Sequence, residues 1–186
     1  MAHGQTATQQ PASATWRLDP QHSSAEFSVR HMMITTVRGK MPIRSATITG
    51  DASDPSAARI EAVLDPAGID TGAADRDQHL RSPDFFDVAA HPEITFRSTK
   101  VRATGSGSYE VEGQLTMRGV ARDVVLQVEK EGEGKDPWGG WRAGVTATAT
   151  IDRRDWGLAW NQVLETGGVL VSEKVKVTLN LQFVRA

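Results

Sequence analysis

An alternation of apolar and polar residues with a period of two runs through most of this 186-residue sequence and constrains its fold more than any other feature. The clearest example is segment 109–117, where Tyr109, Val111, Leu115 and Met117 share one phase. Successive side chains of a strand point to opposite faces of a sheet, so this pattern is typical of antiparallel strands with one buried face. The chain is therefore predicted to be all-β.

About eight alternating segments follow one another through mostly short links. The simplest fold for them is an eight-stranded antiparallel barrel, because closing the sheet leaves no strand edge exposed. In segment 24–33 the phase predicts that His31 and Met33 face inward. Pro42 is expected at an edge or an irregularity, since proline has no N–H to donate to a ladder. The glycine-rich run 129–140 is expected to be an exposed hairpin loop.

Segment 69–92 interrupts the alternation. A short helical insert is predicted near residues 73–87, because Asp75 and Asp77 fall early in it, where the helix dipole favours acidic side chains. The Ser-Pro pair at 82–83 predicts a second helical start, since serine caps helices and proline suits their first position.

Several motifs of the sequence resemble those of the YceI-like family. They are IDTG at Ile69, RDQHL at Arg76, FFD at Phe85, HPEITFRST at His91 and DRRDWG at Asp152, together with WRLDPQHSSAEFSVRHM near the start and GQLTMRGV in the middle. Members of that family are lipocalin-like barrels that bind polyisoprenoid lipids. The resemblance therefore implies a lipocalin-like barrel whose ligand is an isoprenoid lipid, either a polyprenyl chain or an isoprenoid quinone. The same analogy allows a homodimer.

The length suits one domain, assigned to residues 16–186, with residues 1–15 as a flexible tail. A net charge of −2 gives no electrostatic footprint for nucleic acid. Because cysteine is absent, disulfides and thiol chemistry are excluded. The start of the chain lacks a signal-peptide pattern, so a cytoplasmic location is expected, or a periplasmic or secreted one if a signal was removed. No stretch approaches the ~20 apolar residues of a membrane span, so stable membrane insertion is not expected.

The barrel interior is either filled or hollow, and strand phase alone leaves both alternatives open. Small inward residues at Ala62, Gly113 and Ala147 indicate a void. Bulky inward residues such as Phe96 and Phe183 could instead fill it. The family resemblance favours a cavity for a lipid tail. From phase and resemblance together, the predicted lipid-binding residues are Phe27, Val29, His31, Ile60, Leu64, Phe85, Phe86, Phe96, Val111, Leu115, Val145, Ala147, Trp160, Val177 and Leu179.

Phe85 and Phe86 are predicted to close one end of the barrel, either as an ordinary core plug or as part of a lid. Trp160 suits a lipid entrance, because tryptophan combines an apolar body with a polar edge. The charged residues of the family motifs, including Arg76, Arg118 and Arg153, are expected to fix turns through ion pairs and backbone hydrogen bonds.

No catalytic or metal-binding residue is predicted, and no cofactor is expected besides the bound lipid. The histidines lie on different predicted elements, without ligand spacing, and no G-x-S-x-G nucleophile motif occurs. Two other functions remain as alternatives. One is a small-molecule enzyme that uses His31 or His79 as a base at the barrel mouth. The other is a structural or stress-related protein with a filled barrel.

Overall fold

The computed structural model describes residues 13–51 and 53–186, and within these ranges the chain forms ten β-strands and one α-helix. The elements, in chain order, are β1 Ala14–Leu18, β2 Ser24–His31, β3 Thr35–Met41, β4 Ile43–Asp51, β5 Asp54–Leu64, α1 Ala74–Arg81, β6 Ile94–Gly105, β7 Ser108–Met117, β8 Val120–Lys135, β9 Trp141–Asp152 and β10 Lys174–Arg185. All strand pairs are antiparallel.

The strands close into a barrel because β1 pairs with both β4 and β10. β1 and β2 pair with successive parts of β10, so together they occupy one position in the barrel. β4 pairs with β1 and β3 pairs with β2, so together they occupy the next position. Counting each interrupted pair as one strand, the ring has eight positions. The prediction of an eight-stranded antiparallel barrel is therefore confirmed.

The two interruptions have local chemical causes. After β1, a 3₁₀ turn covers Pro20–His22, and the side chain of Asp19 accepts a hydrogen bond of 3.1 Å from the backbone N–H of Gln21. Between β3 and β4 stands Pro42, which has no N–H for the ladder. Its carbonyl still accepts from the N–H of Asp65 at 2.9 Å. The irregularity predicted at Pro42 is confirmed.

Some predicted boundaries are wrong. β1 begins at Ala14, so two residues assigned to the tail belong to the barrel; residues 1–12 lie outside the described ranges. β8 continues to Lys135, so only residues 136–140 of the run 129–140 form the loop. Glycines 132 and 134 are tolerated in this strand because their backbone groups pair with β9. Met33 does not face inward, because β2 ends at His31 and the chain reverses through Met32 and Met33.

The helical insert is shorter than predicted. α1 lies within residues 73–87, with Asp75 and Asp77 in its first turn. The second helical start at residues 82–83 is wrong: Ser82 ends α1, and its carbonyl accepts from the N–H groups of Phe85 and Asp87 in consecutive turns. No helix within residues 13–51 and 53–186 is long and apolar enough to cross a membrane.

The packed core is concentrated at the end of the barrel that carries α1, called here the α1 end. Ile69 and Phe85, from the insert, are buried there with Trp156 and Leu158, which follow β9. The indole N–H of Trp156 donates to the carbonyl of Leu115 at 2.8 Å, so a large side chain is buried without an unpaired polar atom. The opposite end carries the turns β4–β5, β6–β7 and β8–β9.

Candidate functional site

A cavity of about 950 Å³ occupies the barrel interior. Its wall is made largely of aliphatic and aromatic side chains that point inward from the strands. Most polar wall residues lie near the two ends, such as His79 and Arg153 at the α1 end and Lys130 and Asp51 at the other. The long middle section is therefore an apolar tube, which suits an apolar guest.

All fifteen residues predicted to bind lipid lie on the wall of this cavity. The residues on strands face inward because successive side chains of a strand point to opposite faces of the sheet, so one inward residue fixes the direction of the others. Phe27 on β2, for example, pairs with Val177 on β10, and both face inward. Their contact with a lipid stays a prediction.

Small residues along β9 contribute to this space, but small residues do not do so everywhere that they occur. Ala143, Val145, Ala147 and Ala149 all face the cavity from this strand. Gly113 does not add space as expected: a Cβ atom at that position would lie within 3 Å of the Phe96 ring, which fills the site. A bulky residue and a small one on neighbouring strands here compensate for each other.

An aromatic cluster forms the floor of the cavity at the α1 end. The rings of His79 and Phe85 meet edge to face with centroids 5.1 Å apart, and those of His79 and Trp160 do the same at 4.7 Å. Phe85 is buried, and Phe86 packs against the core cluster. Both phenylalanines also line the cavity, so one side of each plugs the barrel end and the other is exposed to the interior.

Three arginines fasten the segments that close the α1 end. Arg81 donates to the carbonyls of Ala67 and Ile69 at 2.7 and 3.0 Å. Arg118 donates to those of Phe85 and Gly157 at 3.0 and 3.3 Å. Irregular segments leave carbonyl groups without ladder partners, and these guanidinium groups supply the missing donors.

The third of these arginines, Arg153, is buried and also lines the cavity. Its guanidinium donates to four carbonyls between residues 158 and 172, at distances of 2.5–3.2 Å. The guanidinium carbon of Arg153, Cζ, lies 5.9 Å from the centre of the Phe85 ring. Burial lowers the pKa of Arg153. The anchoring role was predicted, but nothing in the sequence distinguishes Arg153 from its exposed neighbour Arg154.

Asp152 and Arg154 form an ion pair at the start of the same turn. Arg154 Nη2 lies 2.7 Å from Asp152 Oδ2, and the backbone N–H of Arg154 donates to Oδ1 at 3.0 Å. The hydrogen bond from the Arg154 side chain is the main cause that holds the pKa of Asp152 well below its usual value, and burial of the carboxylate partly opposes it.

The polar residues on or near the cavity do not converge on one reaction centre. His79 Nε2 lies 2.8 Å from Asp84 Oδ2, and Asp77 accepts from the backbone and hydroxyl of Thr71 at 2.9 and 2.5 Å. His31 lies on β2 and faces the cavity. Within the described residues, no group of three or more His, Cys, Asp and Glu side chains could hold a metal ion.

Sequence reasoning missed part of the wall. Leu170 and Val171 line the cavity from the irregular segment before β10, where no alternation indicates which way a side chain points. Trp16 and Ile48 face it from strands whose phase could have identified them.

Comparison with known proteins gives consistent results. A UPF0312 protein of Ectopseudomonas mendocina is 35% identical over 178 residues, which cover 95% of this chain and 90% of that protein. BcnA of Burkholderia cenocepacia shares the fold, with a TM-score of 0.77 and 21% identity over 89% of this chain and 98% of that one. A polyisoprenoid binding domain from Saccharophagus degradans, implicated in plant cell wall breakdown, superimposes with a TM-score of 0.63 and 16% identity, covering 90% and 97%. The family model of the YceI-like domain matches residues 16–183, and the chain therefore belongs to the YceI-like family.

Proposed function

We propose that this protein binds an isoprenoid lipid inside its barrel and carries or stores it without changing it chemically. The observation that carries the proposal is the apolar cavity of about 950 Å³ that runs between the two ends of the barrel. The likeness of the fold to a domain described as polyisoprenoid-binding supports the choice of ligand class.

The size of the cavity limits the ligand. Since a water-sized or methylene-sized group takes up roughly 30 Å³, the cavity holds on the order of 30 carbon atoms, or about six isoprene units. Longer chains would leave carbon atoms in solvent or at the barrel ends. Chain length is therefore expected to be selected more strongly than the chemistry of the tail, because an apolar wall discriminates poorly between similar hydrocarbons.

The energetics favour a hydrocarbon tail. Burying a CH₂ group yields roughly 0.8 kcal/mol, before the cost of ordering the chain. A tail in the middle of the barrel meets few polar groups, so it can bind tightly without specific hydrogen bonds. An isoprenoid quinone would add one polar contact, in which the ring of His31 donates to a quinone carbonyl.

The arrangement of the polar groups on the wall supports the non-enzymatic part of the proposal. His79 is engaged with Asp84, and Arg153 with backbone carbonyls, while His31 projects from a different element. General acid–base or nucleophilic chemistry needs a base within hydrogen-bond reach of a nucleophile or substrate proton. We propose no cofactor other than the lipid itself.

The test is extraction of the purified protein with organic solvent, followed by mass spectrometry, and then uptake of prenyl alcohols of increasing length by the extracted protein. We expect one prenyl lipid per chain, with affinity that rises with length up to about six isoprene units and then levels off. Absence of both co-purified lipid and uptake would contradict the proposal. Conversion of the added lipid would contradict its non-enzymatic part.

A further inference from the structure

Four apolar side chains are exposed together beside the α1 end. Met32, Met33 and Ile34, in the turn between β2 and β3, are 42%, 62% and 70% exposed. Val163, on the segment between β9 and β10, is 84% exposed. The turn between β2 and β3 contacts the segment between β9 and β10, which contains Gly168: a Cβ atom added to Gly168 would lie 3.5 Å from Met33 Cγ. We call these four residues the apolar tip.

Folding does not explain the composition of this tip. Met32 and Met33 both adopt left-handed backbone conformations, with φ of 52° and 62°. Tight turns of this kind favour Asn and Gly, because a side chain is strained at positive φ. Arg30 holds the turn by donating to the carbonyls of Met33 and Ile34 at 3.3 and 2.9 Å. The chain thus fixes a strained turn that presents large apolar side chains to solvent.

The apolar tip is directly connected to the cavity wall. The N–H of Met32 donates to the carbonyl of Leu170 at 2.8 Å, and His31 forms a β-bridge with Val171. His31, Leu170 and Val171 all line the cavity. A surface that binds to the apolar tip would therefore lie next to residues of the cavity wall, which would contact a bound lipid.

The outer face of the adjoining strands is rich in cations. Arg30, Arg38, Lys40 and Lys176 are exposed on β2, β3 and β10, and within residues 13–51 and 53–186 none of the four forms an ion pair with a carboxylate. Their register places them on neighbouring strands: Arg38 lies across from Ser28, which lies across from Lys176.

Few carboxylates on these elements oppose that charge. Asp152 and Glu173 already pair with Arg154. Lys40 lies across from Glu26 on one side and from Asp70 on the other, and Glu165 follows Val163 by two residues. Cations beside exposed apolar side chains are the combination that interfacial membrane binding uses.

We propose that the apolar tip inserts into the headgroup region of an anionic lipid bilayer, with the four cations against the lipid phosphates, so that the α1 end of the barrel faces the membrane. A lipid bilayer fits better than a protein partner, because four side chains offer far less than the ~800 Å² that each side of a stable protein interface buries. The role of this contact in lipid exchange rests on the proposed function, but the contact itself does not.

The test uses co-sedimentation of the full chain with vesicles of phosphatidylcholine alone and of phosphatidylcholine with an equal part of phosphatidylglycerol. The variant carries Met33→Ser and Ile34→Ser, and the matched control carries Trp138→Ser, which removes an 86% exposed side chain at the opposite end. We expect binding to the anionic vesicles to fall at least ~10-fold in the double variant and to stay unchanged in the control. Added salt should weaken wild-type binding, since it screens exposed charges.

Equal binding of the double variant and the wild type, or an equal loss in the Trp138→Ser control, would overturn the proposal. So would a wild-type dimer that the double variant dissociates, since a second copy would then cover the tip. Uptake of a prenyl alcohol in the absence of vesicles separates this result from the proposed function. The double variant should retain that uptake, because neither residue lines the cavity.

Discussion

The two ends of the barrel satisfy their backbone groups in different ways. At the α1 end, long irregular segments close the barrel, and Arg81, Arg118 and Arg153 supply hydrogen bonds to their carbonyls. At the opposite end, short hairpins pair their backbone groups within their own two strands. The longest of these turns, between β8 and β9, exposes Trp138 to solvent. Asp136 organises that link by accepting from the N–H groups of Trp138 and Gly140. The difference teaches that side-chain donors hold the irregular segments of one end together, while the hairpins of the other end are held mainly by backbone ladders, with Asp136 supporting the longest link.

The charges of the two ends differ as well. The arm formed by the end of β8 and its loop carries four acidic residues, Glu129, Glu131, Glu133 and Asp136, and two basic ones, Lys130 and Lys135. On the strands beside the apolar tip, exposed cations predominate. An exposed tryptophan alone therefore does not make the opposite end equivalent to the apolar tip on an anionic surface.

The largest expected effect comes from removing an aromatic side chain at the α1 end. Phe85→Ala should lower the free energy of unfolding by about 3–5 kcal/mol, because it leaves a cavity in the buried cluster. Trp138→Ala, the corresponding change at the other end, should stay within about 0.5 kcal/mol, since its side chain is exposed. Urea unfolding of both variants measures the difference. Equal losses would show that the two ends do not differ as described.

A somewhat smaller effect is expected from the buried guanidinium. Arg153→Met should cost about 2–3 kcal/mol, because the carbonyls of Leu158, Trp160, Val171 and Ser172 lose their donors. Arg154→Met is the control, and it should cost no more than about 1 kcal/mol, as the Arg154 side chain is about half exposed. Thermal unfolding would contradict this ranking if the control were the less stable variant.

The smallest effect concerns Asp152, and its size depends on pH. Asp152→Ala should cost about 1 kcal/mol near neutral pH by removing the cap of the 3₁₀ turn, whereas Asp152→Asn keeps a capping side chain and removes only the charge. Because the folded state lowers the pKa of Asp152, the advantage of wild type over Asp152→Asn is full above its ordinary pKa of 3.8 and declines as pH falls below it.

Unfolding experiments between pH 2.5 and 7 on the wild type and Asp152→Asn check this sign. A constant difference between the two over the whole range, or one that grows on acidification, would show that the ion pair does not act as described.

Much of the barrel was predictable because strand phase is a local property. Alternation placed the inward side chains of six strands correctly, from Phe27 to Leu179, without knowledge of the register between strands. Features that depend on distant residues were not predictable. The closure of space at Gly113 needs Phe96 from another strand, and the burial of Arg153 needs carbonyls from a segment that has no periodicity. Met33 was misplaced because two left-handed residues end its strand.

Filling the middle of the tube tests most directly whether the barrel interior is the binding site. Ala147 faces the cavity from β9, while the next residue, Thr148, faces the outside of the same strand. We predict that Ala147→Phe lowers the affinity for a prenyl alcohol of about six isoprene units at least ~10-fold, since the ring occupies the space of several buried CH₂ groups, and that Thr148→Phe leaves it unchanged. Unchanged affinity in a folded Ala147→Phe protein would contradict the account.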